Sequence, residues 1–410
     1  MRIAVVTTNN PNMYSGGRYH SLGVALALSS IPKNEVYYIT NHKPIFYDDF
    51  QAYNQELNLF LTEDFYLKMP RGKFDIVILV PHQRNDSFYP KVKLFSLKSD
   101  AKLVLINFES GNWFNEFSPR PSELWAPWKK ACEIGCLMLS ISKEGDKYAR
   151  DFYTEYPSLT SFDYWYPRIN EIEANRSQNI IREQNRILIL SRITDKHKGS
   201  NDLNILFCEE LRGHIFVLLV GSENLSDEFL TSINQLAERY GIVVEYKFQL
   251  SDYEKFIEYK KASVLIFPSY FEGYGYPPIE ALYCDTPCIA YDLPVLREIS
   301  NDGLIFVQRG NTSALKEAVI SFFQDTRADF TRDLQGFVTD KTDFTTNSLI
   351  LHNKLETYLH QSLSQIDTRR MIQKLKKDIL QKNGIKTLKG YFKYRLQLAK
   401  NFLKQEGYLK

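Results

Sequence analysis

Between Ala262 and Tyr283 the chain passes from an uninterrupted apolar segment, ASVLIF, through a glycine-bearing loop into Pro277-Pro278 and the stretch IEALY. A short apolar run bounded by turn residues fits a strand buried on both faces, the condition of a parallel sheet. Two adjacent prolines suit the first turn of a helix, where no amide donor is needed and their fixed φ is already helical. The segment therefore reads as strand, loop and helix, with Gly273 and Gly275 at the carboxyl end of the strand, where ligands of open α/β sheets bind. Glu272 and Glu280, eight positions apart, sit on this loop and on the helix after it. Free amides at the helix start would face an anionic group, and the glycines would let the backbone approach it closely.

The same alternation extends over most of the chain. Ile3 to Thr7, Glu35 to Thr40, Phe74 to Val80, Ala101 to Phe108 and Cys136 to Ile141 are predicted strands, with a helix over Arg18 to Ser29. A second series follows Tyr164-Trp165-Tyr166-Pro167 and the polar stretch Glu171 to Asn185. Its strands are Arg186 to Leu190, Ile215 to Val220, Ile242 to Phe248, Val264 to Phe267 and Pro287 to Tyr291, with helices such as Asp252 to Lys261 and Ser313 to Phe323. Strands alternating with helices predict βαβ units, hence an α/β chain with two Rossmann-like domains. The expected division is 1–167 for the first domain, 168–185 for a linker, 186–345 for the second domain and 346–410 for C-terminal helices. No G-x-G-x-x-G follows Ile3 to Thr7 or Val220, which argues against a nicotinamide enzyme.

At 410 residues there is room for two such domains and a cleft between them. Five cysteines, Cys132, Cys136, Cys208, Cys284 and Cys288, are odd in number and too sparse for a disulfide framework, and no histidine completes a zinc set around them. Met1 leads directly into a strand pattern without a basic and apolar leader, and no apolar run approaches the ~18 residues of a membrane span. The expected compartment is the cytoplasm.

The string Pro268-Ser269, Glu272-Gly273-Tyr274-Gly275, Pro277, Glu280-Ala281 resembles the signature of the retaining family-four glycosyltransferases of the GT-B fold, group 1 type, whose two glutamates are separated by seven residues. The likeness continues through Thr286 to Tyr291 and Pro294 to Ile299; it is strong over about Ile187 to Ala318 and architectural before that. It implies two Rossmann-like domains facing across a cleft, no cofactor, and a nucleotide diphosphate sugar, UDP- or GDP-linked, as donor. It assigns Glu272 to the sugar hydroxyls and Glu280 to the ribose, with Gly273, Tyr274 and Gly275 in the donor loop. After Arg186 to Leu190, the run Ser191 to Gly199 carries Arg192 and Lys198 where the family has an Arg and a Lys-Gly that hold the diphosphate. The spacing is off by one residue, which keeps Lys196 as the alternative to Lys198. Fixed cations suit a leaving group that gains charge in the transition state, and a planar Arg can grip it through two bonds. Gly16 and Gly17 match the family's paired glycine near the diphosphate and the acceptor.

Where the family usually ends a central strand of the first domain with His, Leu103 to Phe108 is followed by Glu109. Glu109 is a candidate to bond a sugar hydroxyl or orient the acceptor, Trp113 to stack on a sugar face, and His82 to reach the cleft. No Asp-x-Asp occurs, so a metal-independent reaction is expected, with Arg192, Lys198 and backbone amides in place of a cation. The implied activity is transfer of a hexose-type sugar, with retention, to a hydroxyl of a glycan or lipid-linked acceptor in cell-surface polysaccharide or glycoconjugate synthesis. Glu272, Arg192, Lys198 and Glu109 are its candidate catalytic residues. The alternative, prompted by the absent His, is a sugar-nucleotide-binding or scaffold protein without turnover.

Charge is unevenly distributed. The whole chain stands at +2, but residues 366–410 hold 13 Lys or Arg against 3 Asp or Glu, which leaves 1–365 at −8. Ile385, Leu388, Phe392, Leu396, Ala399 and Leu403 recur at helical spacing among lysines. This is the pattern of a basic amphipathic helix, able to lie on an anionic bilayer or to pack on protein. Asn383-Gly384 would end a preceding helix carrying Met371, Ile372, Leu375 and Ile379. A lipid-binding tail would place the chain peripherally at the inner face of the cell membrane. An acidic body without a recognition motif argues against nucleic acid as a partner.

Overall fold

The computed structural model describes residues 1–12, 14–53, 57–66, 68–81, 87–177, 179–190, 196–221, 225–324, 333–362, 366–382, 396, 397 and 400. Two sheets organise it. The first holds β1 (Arg2–Val6), β2 (Glu35–Thr40), β3 (Leu57–Leu61), β4 (Ile76–Leu79), β5 (Lys102–Asn107), β6 (Cys136–Ser140) and β7 (Thr160–Tyr164), in the order β3-β2-β1-β4-β5-β6-β7. The second holds β8 (Arg186–Leu190), β9 (Ile215–Val220), β10 (Val243–Phe248), β11 (Val264–Phe267), β12 (Cys288–Tyr291) and β13 (Ile305–Val307), in the order β10-β9-β8-β11-β12-β13.

Every pairing is parallel, so each strand needs a crossover to reach the next. Helices on both faces explain why β4 (IVIL), β6 (CLMLS) and β11 (VLIF) are buried along their whole length. In each sheet the strand order reverses beside its first strand, which puts switch points between β1 and β4 and between β8 and β11.

Helices α1 (Gly16–Ser29), α2 (Phe88–Lys98), α3 (Gly111–Phe117), α4 (Ala126–Ala131) and α5 (Lys143–Phe152) accompany the first sheet, and α6 (Glu171–Arg176) leads out of it. With the second sheet go α7 (Asp227–Tyr240), α8 (Asp252–Lys261), α9 (Tyr276–Tyr283), α10 (Pro294–Ser300), α11 (Thr312–Gln324) and α12 (Thr339–Thr342). A capping box starts α8: the Ser251 hydroxyl accepts from Glu254 N, and the Glu254 carboxylate accepts from Ser251 N at 2.9 Å. Gly275 (φ 117°) leads into α9, whose first turn carries Pro277 and Pro278.

The last helices, α13 (Phe344–His360) and α14 (Thr368–Lys382), return to the first domain. Trp165 Nε1 donates to Asn347 O at 3.0 Å, and the Tyr358 hydroxyl donates to Leu103 O at 3.0 Å. The buried Arg168 guanidinium is stacked between the rings of Tyr53 and Phe344, at 4.2 and 3.7 Å. Against α2, Leu94 packs with Leu375 and Ile379 of α14, and Met371 and Ile372 flank them. Lys374 shares Glu133 with Lys93, at 2.6 and 2.5 Å. The apolar face of the first tail helix is thus used on protein. Of the second amphipathic segment, 385–403, only Leu396, Gln397 and Lys400 are among the described residues.

Three strands lie outside those predicted from the sequence, and one helix lies in the predicted linker. β3, β7 and β13 are outer strands whose residues (LNLFL, TSFDY, IFV) are largely half-exposed, so they lack the continuous apolar signature. The helix, α6, lies in the stretch expected to be linker, and the Asn170 side chain caps it by accepting from Glu173 N at 3.4 Å. No helix among the described residues is long and apolar enough to cross a membrane, and all five cysteines are buried and free of disulfides.

Candidate active site between the two sheets

The carboxyl ends of the two sheets meet. After β11 the chain turns through Pro268 to Gly275, and Gly273 is pressed against the first domain: a Cβ there would lie 2.5 Å from Phe108 O, just after β5. Ser142, after β6, donates its hydroxyl to Gly273 O at 2.9 Å. Gly16, the first residue of α1, faces the Tyr276 ring, which a Cβ would meet at 3.9 Å, and Gly17 backs onto the Phe108 ring at 3.1 Å. Ser15 occupies the N-cap of α1 without a side-chain cap bond. Beside this contact Glu298 of α10 accepts from Lys143 N and Glu144 N at 2.7 and 2.9 Å, a carboxylate on the first amides of α5.

Lys198 lies in the short 3₁₀ turn Lys196–Lys198 that follows β8. Its Nζ stands 2.6 Å from Glu272 Oε1, with the two side chains 18% and 11% exposed. Backbone bonds hold the two loops together: Tyr270 N donates to His197 O at 2.7 Å, and the Ser269 hydroxyl donates to the same oxygen at 3.2 Å. Gly199 has φ 67°, and a Cβ would strike Pro268 O at 2.0 Å, so a side chain is barred there. Neighbouring strands β8 and β11 thereby deliver a cation and a carboxylate to the second sheet's switch point. Partial exclusion of water strengthens their attraction over that of a surface pair. Arg192, His82 and the side chain of Lys196 lie outside the described residues.

Glu280 is 3% exposed. Its Oε1 is 2.7 Å from Lys255 Nζ, and its Oε2 accepts from the Tyr259 hydroxyl at 2.9 Å. A carboxylate has about four lone-pair sites, so it retains capacity for further donors. Lys255 also reaches Asp252 Oδ1 at 2.9 Å, while Asp252 Oδ2 accepts from the Tyr19 hydroxyl at 2.6 Å and Asn170 Nδ2 at 3.0 Å. One buried network therefore joins α8 and α9 to α1 and the segment before α6. Burial opposes charge on Lys255, but Asp252 and Glu280 outweigh it and hold its pKa well above the usual value. Asp49 Oδ2 accepts from Asp252 N at 3.3 Å, and burial, then the Asp252 charge, push its carboxyl up to about 6. Sequence reasoning passed over Tyr19, Asp49, Asp252, Lys255 and Tyr259. The available signal was the i, i+3, i+7 spacing that puts Asp252, Lys255 and Tyr259 on one helix face.

Glu109 is half-buried directly after Phe108, and Tyr274 is buried beside Tyr276 and Tyr166, with ring centroids 5.5 and 6.2 Å away. Trp113 departs from expectation. It is 7% exposed, with its ring stacked on Tyr148 at 5.2 Å and set edge-on to Phe271 at 5.0 Å. The ring has no open face for a sugar and instead joins α3 and α5 to the loop after β11. Phe114 extends this contact, with its ring 5.2 Å from Phe271 and 6.2 Å from His197.

Two parallel-sheet domains that meet at their carboxyl edges, one carrying the Lys198 and Glu272 loops, define a protein of the GT-B glycosyltransferase architecture. Within that class, the family model described as glycosyl transferases group 1 matches residues 171–334. An O-antigen chain mannosyltransferase of Salmonella typhimurium, RfbU, is 37% identical over 76 residues, 18% of this chain and 22% of its own. O-antigen chain mannosyltransferase B of Escherichia coli is 24% identical over 116 residues, 28% of this chain and 30% of its own. The matched stretches thus span only 22% and 30% of these relatives' lengths. In three dimensions the chain is similar to Anabaena Alr3699/HepE in complex with UDP and glucose, with a TM-score of 0.64 at 13% identity over 87% of this chain and 100% of that one.

Proposed function

We propose that this chain is a glycosyltransferase that moves a hexose-type sugar from a nucleotide diphosphate sugar to a hydroxyl of a glycan or lipid-linked acceptor, in the assembly of a surface polysaccharide. The observation that carries this reading is the Lys198–Glu272 pair at the switch point between β8 and β11, on loops pressed against the first domain. The family match over this segment supports it, as do relatives that are O-antigen chain mannosyltransferases and a similar fold solved with UDP and glucose.

In this reading the diphosphate lies against Lys198, Arg192 and the amides that open α9. Lys198 turns from Glu272 to the phosphate oxygens as the donor enters, which frees Glu272 for the sugar hydroxyls. Glu280, held by Lys255 and Tyr259, offers its remaining lone pairs to the ribose. The acceptor hydroxyl, oriented near Glu109, attacks the anomeric carbon on the face from which the phosphate departs. Its proton passes to the leaving phosphate oxygen, so configuration is retained with no side-chain nucleophile and no metal step. Fixed cations stabilise the charge that grows on the leaving group, and positioning supplies much of the rest. UDP is the first nucleotide to test and GDP the second. Residues 383–410 would hold the enzyme at the cytoplasmic membrane face, beside a lipid-linked acceptor.

The test is nucleotide release from UDP- and GDP-hexoses, followed with and without lipid-linked oligosaccharide. Release that rises with acceptor is the expected result. Nucleotide-sugar binding with no release under either condition would instead make the chain a non-catalytic sugar-nucleotide binder.

A further inference from the structure

A cavity of about 200 Å³ opens on the first domain. Thr8, Asn41 and Glu63, which follow β1, β2 and β3, line one side, and Ser87, Phe88 and Lys91, at the start of α2, line the other. Because α2 follows β4, the cavity straddles the first sheet's switch point between β1 and β4, a place where open α/β sheets take ligands. It is tied to the candidate active site through Arg18, which follows Gly16-Gly17 and donates both to Thr7 Oγ1 and to Pro81 O. Its lining includes none of the residues that meet the loop after β11.

The chemistry of the lining is mixed. Lys91 has no hydrogen bond or ion pair among the described residues; burial lowers its pKa, against the attraction of Asp64. Thr8 Oγ1 is buried without a hydrogen-bond partner among the described residues. A buried polar group without a partner is costly, and a ligand hydroxyl would relieve that cost. Asn41 Oδ1 already accepts from Asn9 N at 2.7 Å, which leaves its amino group as a donor, and Glu63 supplies an acceptor at the exposed rim. Phe65 and Phe88, edge to face at 5.1 Å, add apolar surface. An anion would meet the Glu63 carboxylate, and a hydrocarbon would bury the Lys91 ammonium. A sugar, whose hydroxyls both donate and accept around a ring with C–H faces, satisfies every one of these groups. The volume suits a single monosaccharide, below the roughly 300–1,000 Å³ of drug-sized pockets.

We propose that this cavity is a carbohydrate subsite that holds a sugar unit of the acceptor other than the one attacked, and so selects which glycan the chain extends. The role as an acceptor subsite rests on the transferase reading above; the binding of a sugar does not. Saturation-transfer NMR on the full chain, with methyl glycosides of mannose, glucose and galactose as probes, tests it. Calorimetric titration of UDP on the same samples reads the donor site separately. The expected result is saturable binding of at least one glycoside, weakened about tenfold in Lys91→Met and in Glu63→Gln. UDP affinity and acceptor-free nucleotide release should stay unchanged. Absence of saturable glycoside binding, equal binding in both variants, or Lys91-dependent binding of inorganic phosphate alone would overturn the proposal. Absence of binding of both UDP and GDP, titrated in the same way on the wild-type chain, would overturn the transferase reading instead.

Discussion

Lys198 Nζ and Glu272 Oε1 stand 2.6 Å apart on loops that follow two neighbouring strands, with limited access to water. Removing either partner leaves a poorly solvated charge and takes away one fixed charge of the proposed donor site. Lys198→Ala and Glu272→Gln are each expected to lower kcat by about 10²–10³-fold, as loss of one preorganised electrostatic contact does elsewhere. Groups that act as a unit are non-additive, so the double variant should be little worse than the poorer single one. Steady-state kinetics with the UDP- or GDP-hexose that supports turnover, alongside circular dichroism for the fold, checks both. Near-normal turnover in the two single variants would remove the pair from the mechanism.

The approach of Gly273 to Phe108 O gives a second expected outcome. A methyl at 2.5 Å from a carbonyl oxygen must push the domains apart or shift the loop, at about 1–3 kcal/mol for overpacking. Gly273→Ala should therefore enlarge the radius of gyration in small-angle scattering and depress transfer. Gly221→Ala, where a Cβ would meet nothing within 4 Å, should do neither. Unchanged scattering and turnover in Gly273→Ala would mean that the contact is dispensable.

These residues were legible in the sequence for a reason that the rest of the site does not share. Glycine and proline state backbone requirements locally, so the loop from Pro268 to Pro278 could be placed at a strand end before any contact was known. Strands buried on both faces were equally plain: Glu35–Thr40, Arg186–Leu190, Ile215–Val220 and Val264–Phe267 occupy the bounds that their apolar runs predict. The outer strands β3, β7 and β13 were not, because a half-solvated edge need not be apolar. Tyr19 and Asp252, whose side chains meet at 2.6 Å across 233 residues of sequence, could be joined only by the fold. For Trp113 the sequence supplied the ring but not the Tyr148 and Phe271 side chains that cover it.

His20 gives a pH dependence of definite sign. It is 2% exposed in α1, its Nδ1 has no hydrogen-bond partner among the described residues, and burial lowers its pKa to about 3. The unfolded chain takes up this proton near pH 6.5, and the folded chain does so only near 3. The contribution to stability is therefore whole above pH 6.5 and falls away between 6.5 and 3, by about 1.4 kcal/mol per pH unit. Between pH 7.5 and 5 the wild-type chain should lose about 2 kcal/mol more than His20→Gln in urea unfolding. Parallel pH profiles would show that the imidazole titrates normally in the folded state.

Helix α14 decides how the basic tail must be tested. Leu375 and Ile379 are each 1% exposed against α2, so Leu375→Ala should lower the unfolding free energy by about 2–5 kcal/mol in denaturant titration. Cutting the chain before α14 would expose Leu94 and separate Glu133 from Lys374, and any change in vesicle binding would then mix electrostatics with damage to the first domain. Ending the chain at Lys382 avoids this, because it removes only residues 383–410, with 7 Lys or Arg against 1 Glu. Each basic residue near an anionic surface adds about 1 kcal/mol, and salt screens the attraction. The full chain should therefore co-sediment with phosphatidylserine vesicles at low salt far more than the shortened one, and the difference should shrink as salt rises. Equal sedimentation of the two forms would place any membrane contact on the folded body rather than on the tail.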